Sequence, residues 1–171
     1  MCNNNIFLRQ FGSMLLGILM MAMPHVAQAF EQGASSVALS VGSGQQLGRD
    51  YTVINGRYGY FFVKEFEASM ALELWRGNSP EIYKIIPELR YVYTSSQTVK
   101  PYAALFVGFT NFSGAVADRT TYGAKAGVYL KLNPSAYLGL GLVHERIENC
   151  DSAAYRNCQY THPEVSLNFT F

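Results

Sequence analysis

The sequence predicts an all-β fold, with eight antiparallel strands closed up-and-down into a transmembrane barrel over residues 30–171. Three observations carry this prediction. Val165, Leu167, Phe169 and Phe171 alternate with Ser166, Asn168 and Thr170, a period of two that gives a strand one apolar and one polar face. The same alternation recurs in segments long enough to cross a bilayer when tilted. Residues 1–29 have the three parts of a secretory signal peptide, so the rest of the chain is expected to be exported.

The leader reads in order. Met1 to Gln10 is mostly polar with Arg9 as its positive charge, Phe11 to Met23 is nearly continuous apolar, and Ala27-Gln28-Ala29 is a small-x-small cleavage site. The apolar run falls short of the roughly 20 residues that a spanning helix needs. Cys2 precedes that run, so it is no lipoprotein acceptor.

The whole chain holds 13 Lys plus Arg and 12 Asp plus Glu, and removing residues 1–29 takes away only Arg9, leaving the signs balanced. No basic bias points to nucleic acid. No long apolar run remains for a helical span. All 12 tyrosines lie after residue 29, and richness in Tyr, Phe, Val and Gly suits strands and turns.

Strands are expected at 36–43, 50–62, 66–76, 82–93, 99–110, 121–132, 136–146 and 161–171. Connections alternate in length. Val63-Lys64-Glu65 and Asn133-Pro134-Ser135 are tight, Gly44–Arg49 and Gly77–Glu81 moderate, and 111–120 and 147–160 long. With both termini on the periplasmic side, the longer loops fall outside, as in outer-membrane barrels. Thr94–Thr98 fits this alternation least well.

Parity sorts the faces. Phe66, Ala68, Met70, Leu72 and Leu74 share one face of their strand, with Glu67, Ser69, Glu73 and Trp75 opposite. Tyr83, Ile85, Pro87, Leu89 and Tyr91 oppose Lys84, Glu88 and Arg90. Segment 99–110 is apolar on both faces, and Ala103, Leu105, Val107 and Phe109 are taken as lipid-facing. With the apolar faces outward, Tyr60, Phe62, Phe66, Tyr91, Tyr93, Phe169 and Phe171 form a belt at the periplasmic end, and Tyr83, Phe109 and Tyr122 a second rim. Aliphatic residues fill the middle, the depth sorting that a bilayer selects.

The inward face then collects Arg57, Glu67, Glu73, Lys84, Glu88, Arg90, Lys125, Lys131, Glu145 and Glu164. An eight-stranded lumen is just wide enough for side chains to fill, and buried charges must be paired. A balanced ionic network is therefore expected, with no acid and base pair set apart by spacing. Pro87 removes a ladder donor in a barrel that has no edge, and a bulge is expected there.

Cys150 and Cys158 share the longest loop of an exported chain, which predicts a disulfide between them. Two Cys without ordered His ligands are too few for a metal site, and no cofactor motif is present. His144 and Arg146 share the outward face at the outer rim, where they are candidate contacts for lipopolysaccharide phosphates. His162 points inward beside Glu164.

Over residues 30–171 the chain resembles the small eight-stranded bacterial outer-membrane barrels of the OmpA/OmpX-like class. The resemblance rests on the leader, the loop asymmetry, Lys100-Pro101-Tyr102 opening a Gly-rich strand, and the terminal Phe171. It implies an outer-membrane location among lipids and lipopolysaccharide, and Phe171 as an assembly signal for the barrel-assembly machinery. It also implies a role as an anchor, adhesin or surface protein that meets a ligand or partner protein through its loops. Lipid A deacylases of the PagL family are barrels of similar size, with an outward His on the seventh strand and a Ser nucleophile two positions later. His144 falls in a comparable place, but position 146 is Arg and Ser152 lies in the loop, so the nucleophile is missing. The expected function is a non-enzymatic surface scaffold. A PagL-like deacylase, a narrow passive pore and a soluble lipocalin-like barrel are the alternatives.

Overall fold

The computed structural model describes residues 29–46, 49–79, 81–112, 119–148, 150 and 158–171. The leader (1–28), Ser152 and the tips of the two long loops lie outside these residues. Eight strands form a closed barrel in chain order: β1 (Ser35–Gln46), β2 (Arg49–Val63), β3 (Phe66–Arg76), β4 (Ile82–Val92), β5 (Val99–Phe112), β6 (Arg119–Lys131), β7 (Ala136–Ile147) and β8 (Gln159–Thr170). Every neighbouring pair is antiparallel, including the seam between β1 and β8.

The terminal strand closes the barrel through its last residue. β8 pairs with β1 from Gly42↔Glu164 to Ser36↔Thr170. Beyond that, Ser35 N–H donates to the Phe171 carbonyl at 2.7 Å and Phe171 N–H donates back at 3.0 Å. No strand edge is left open, which removes the row of unpaired backbone groups that makes an open sheet sticky.

The barrel is inside-out relative to a water-soluble one. Leu105 is 68 % exposed, Leu39 61 % and Leu72 60 % on the outside, while Glu67, Lys84, Arg90 and Glu145 are buried within. Ala103, Leu105, Val107 and Phe109 all face outward, so the buried core residues of β5 are Tyr102, Ala104 and Phe106. At the end that holds Ala29 and Phe171, here called the termini end, Phe66 and Tyr91 face outward with ring centroids 4.9 Å apart, alongside exposed Tyr60, Phe62, Phe169 and Phe171. Tyr83, Phe109 and Tyr122 are exposed towards the opposite end, here called the loop end.

Most strands outrun the apolar alternation. β1 continues to Gln46 and β2 begins at Arg49, so the first loop-end connection is confined to residues 47–48, much tighter than the expected Gly44–Arg49 loop. Backbone pairing continues through the polar positions Gln45↔Asp50 and Gln46↔Arg49, because hairpin hydrogen bonds do not depend on apolar side chains. The expected loop asymmetry therefore rests on residues 113–118 and 148–158 rather than on every loop-end connection.

Pro87 needs no bulge. It pairs with Met70 on β3, and the β4–β5 ladder only skips Ile86 and Pro87, resuming in the same register from Ile85↔Phe109 to Glu88↔Phe106. An antiparallel residue sends its N–H to one neighbour only, so the missing donor leaves a gap on the β5 side. The irregularity among the described strands lies instead at Phe61/Val63 of β2, beside the tight turn. Glu65 closes that turn at φ 69°, a left-handed conformation uncommon outside glycine. Its carboxylate accepts from the Thr94 backbone at 3.0 Å, from the Thr94 hydroxyl, and from Tyr91 Oη at 3.2 Å, tying this turn to the next. The Thr94 hydroxyl bond is the main cause holding the Glu65 carboxyl below the ordinary glutamate range.

Gly127 and Gly141 are cross-strand partners beneath Tyr102. A Cβ on Gly127 would meet the Leu140 carbonyl, would stand 2.7 Å from Gly141 Cα and 2.8 Å from the Tyr102 ring. Two of these three obstacles are backbone and cannot swing away. Gly127→Val is therefore expected to destabilise the barrel by about 1–3 kcal/mol through overpacking. Urea unfolding in lipid vesicles checks this, and an unchanged midpoint would show that the floor under Tyr102 yields.

Candidate functional site

Inward parity gathers the charged side chains into two layers. Nearer the termini, Arg57 donates to Glu67 at 2.6 Å and to Asn168 at 2.8 Å, and Ser36 also donates to Glu67. Arg90 forks onto Glu88 at 2.9 and 2.5 Å, and Lys125 stands 3.1 Å from Glu88 and 3.4 Å from Glu164. Three cations face three carboxylates, and the layer is neutral. Each residue comes from a different strand or a different level, so the layer ties the wall together across the lumen.

The layer nearer the loops is built on Lys84, whose side chain is fully buried. Its ammonium donates to Glu145 at 2.7 and 2.9 Å and to Tyr160 Oη at 2.9 Å, and lies 3.7 Å from Glu73. Trp75 Nε1–H donates to Glu73 at 2.6 Å, and the Trp75 ring lies 4.5 Å under the ammonium. His162 points inward and is buried between the rings of Trp75 and Tyr160, at 5.9 Å from each.

Aromatic rings close the lumen at the termini end. Tyr102 and Tyr129 stack at 4.6 Å, with the Arg90 guanidinium 4.6 Å from Tyr102. Phe30 inserts beneath them. It is only 3 % exposed, holds φ 69°, and packs against Phe61, Tyr129 and Tyr137 at 5.6, 6.0 and 4.8 Å. This plug explains where Lys131 departs from expectation. Lys131 has inward parity but sits at the last position of β6, beyond the aromatic layer, where it is exposed. It forms no ion pair among the described residues. Lys100 is instead the buried rim cation, donating to the Ser96 and Thr94 carbonyls at 3.0 and 3.2 Å with its ammonium 5.6 Å from the Phe30 ring.

On the outer wall, at the loop end, His144 and Arg146 are both exposed. His144 Nδ1 lies 2.8 Å from Thr161 Oγ1 on β8, its cross-strand partner. A lateral groove of about 490 Å³ passes between Leu105, Tyr122, Ala124, His144, Arg146 and Gln159. Cys150 and Cys158 are joined, with S–S 2.03 Å, across the base of the last loop. Among the described residues no cluster of three or more His, Cys, Asp or Glu is placed to hold a metal ion.

No protein-family model matches the sequence, and no curated protein sequence matches it. Solved structures do. The N-terminal β-barrel domain of Pseudomonas aeruginosa OprF superposes with a TM-score of 0.65 at 13 % identity, covering 82 % of this chain and 98 % of that one. The chain has the fold of the small outer-membrane β-barrels. Neisserial surface protein A (NspA) gives a TM-score of 0.61 at 15 % identity, covering 81 % of this chain and 96 % of its own. The Yersinia pestis outer-membrane protein Ail gives 0.53 at 13 % identity, covering 82 % and 100 %. At these identities the likeness is one of fold.

Against that fold, the lumen positions follow from strand parity alone, whereas three participants do not. Tyr160 falls where the sequence reads as loop, and β8 begins one residue before it. Thr161 meets His144 only because β7 and β8 are in register. Phe30 precedes the first strand, and no periodic signal marks it.

Proposed function

We propose that this chain is an integral protein of a bacterial outer membrane, exported by residues 1–29, whose barrel is a non-enzymatic scaffold displaying loops at the cell surface. Its implied partners are outer-membrane lipids and lipopolysaccharide, the barrel-assembly machinery that reads Phe171, and a surface ligand or protein met by the loops. The observation that carries this reading is the filled lumen. Two layers of paired charge and the Phe30 plug occupy the route a solute would take, and eight strands leave no further width. A rigid barrel with long loops at one end puts variation where binding function resides.

The test uses the whole protein in planar bilayers. The expected result is no stable unitary current, whereas reproducible single-channel steps would make it a pore. On cells, replacing residues 113–118 or 151–157 by Gly-Ser linkers is expected to abolish capture of surface ligands with the barrel still inserted. Unchanged capture by both variants would remove the display role.

Lipid A deacylation is the second reading, favoured by one contact. Thr161 offers His144 a hydroxyl at 2.8 Å, the place of a nucleophile beside a base. Among the described residues no carboxylate is bonded to the His144 ring to orient it, so the constellation lacks its third member. A lost acyl chain in lipid A from expressing cells, restored by Thr161→Val, would establish the enzyme and overturn the scaffold.

A further inference from the structure

The lateral groove lies on the outer wall, away from the filled lumen and from the loops that carry the scaffold role. Ala124 on β6 forms its floor, with Leu105 of β5 on one side and His144 of β7 on the other, the two residues in register with it. Flanked by larger side chains, Ala124 leaves a trough in the apolar wall. One level towards the loops, Tyr122 is in register with Arg146, and Arg146 with Gln159. The two levels are separated by two residues, about 7 Å along a strand. The trough is thus apolar below and cationic at its mouth.

Arg146 is exposed and makes no ion pair among the described residues. Glu148, two positions further along β7's direction, is not within ion-pair distance of it. The His144 ring is fixed by Thr161 through Nδ1, and its Nε2 has no protein partner among the described residues. Gln159 adds an amide at the same rim. A planar guanidinium fork with neighbouring donors matches phosphate oxygens, and it stands level with Tyr122, a residue type enriched at the depth of lipid headgroups.

We infer that this groove is a binding site for one phosphorylated acyl lipid of the outer leaflet, of the lipid A class, with a phosphate on Arg146 and His144 and an acyl chain lying over Ala124 against Leu105. The inference rests on the outer-membrane reading. It makes the outer wall a specific lipid seat rather than a uniform apolar surface. The charge at the mouth selects the anionic head, and the missing bulk at Ala124 selects a chain.

The experiment measures retained lipid by native mass spectrometry of the folded full-length barrel, purified in detergent and incubated with bisphosphorylated lipid A, dephosphorylated lipid A or inorganic phosphate. Wild type is expected to retain one bisphosphorylated lipid. Arg146→Gln is expected to weaken retention about tenfold or more, the factor that one charge-assisted hydrogen bond carries. Ala124→Phe, which fills the trough from an outward position without touching the lumen, is expected to weaken it comparably. Leu39→Phe, on the wall formed by β1, is expected to leave it unchanged. Dephosphorylated lipid A should be retained as weakly by wild type as the bisphosphorylated form is by Arg146→Gln. Equal retention by Ala124→Phe and wild type would overturn the groove, and displacement of the lipid by equimolar inorganic phosphate would reduce the site to a free-anion site. Carbonate extraction of membranes separates the two levels. A barrel that stays in the membrane but retains no lipid overturns this inference alone, whereas release by carbonate overturns the outer-membrane reading beneath it.

Discussion

Replacing Lys84 with Met is expected to lower the unfolding free energy by about 3–5 kcal/mol, the loss seen when one partner of a buried ion pair is removed. The Lys84 side chain is fully buried, and its ammonium serves Glu145 through two hydrogen bonds, Tyr160 through a third, and Glu73 at 3.7 Å. Met fills the stem volume and supplies no positive charge. Two carboxylates are then left facing each other across a narrow lumen, and Glu145 loses its two bonds to the ammonium. Urea unfolding of the barrel in lipid vesicles reads the loss. The companion variant Lys84→Met with Glu145→Leu is expected to recover much of it, since a buried pair exchanged for apolar side chains of similar volume is often neutral. A single variant within about 1 kcal/mol of wild type would mean that water enters this layer and solvates the carboxylates.

Trp75→Ala is expected to cost about 3–5 kcal/mol by the same measurement, for a different reason: it empties the largest side chain of the loop-end core. Trp75 is fully buried, with the rings of Tyr51, Tyr160 and His162 at 5.8, 5.8 and 5.9 Å. It also gives Glu73 its shortest hydrogen bond, at 2.6 Å, and when it is gone that carboxylate keeps Asn55 at 3.3 Å and the Lys84 ammonium at 3.7 Å. Trp75→Phe keeps an aromatic ring in the layer and loses the donor, so a smaller loss is expected. Combining it with Glu73→Gln in a double-mutant cycle measures their coupling. Because Trp75 is the chain's single Trp, its fluorescence in the wild type reports this layer directly, and circular dichroism follows the variants.

Both residues mark how far the sequence could be read. That Lys84 and Trp75 point inward follows from counting along one strand, since the side-chain period of two is a local property of extended backbone. Even for β5, apolar on both faces, the outward set is the one with Leu105 and Phe109. That Lys84 meets Glu145, 61 residues away, could not be counted. It depends on which strands lie across the lumen and on their stagger when the sheet closes. Strand ends are not written in the apolar pattern, because β1 and β8 extend through Gln45, Gln46 and Gln159, where backbone pairing persists and the alternation has stopped.

The sequence by itself determined the strand count, the antiparallel order and the inward or outward face of nearly every strand residue, because alternation and turn chemistry are written in neighbouring residues. Only the tertiary structure decided which charges pair, why Lys131 stays outside them, and that Phe30 plugs the mouth. It alone also set Thr161 against His144 and opened a trough over Ala124. Each of these joins side chains from separate strands, and closure of the barrel, not local pattern, fixes their distances.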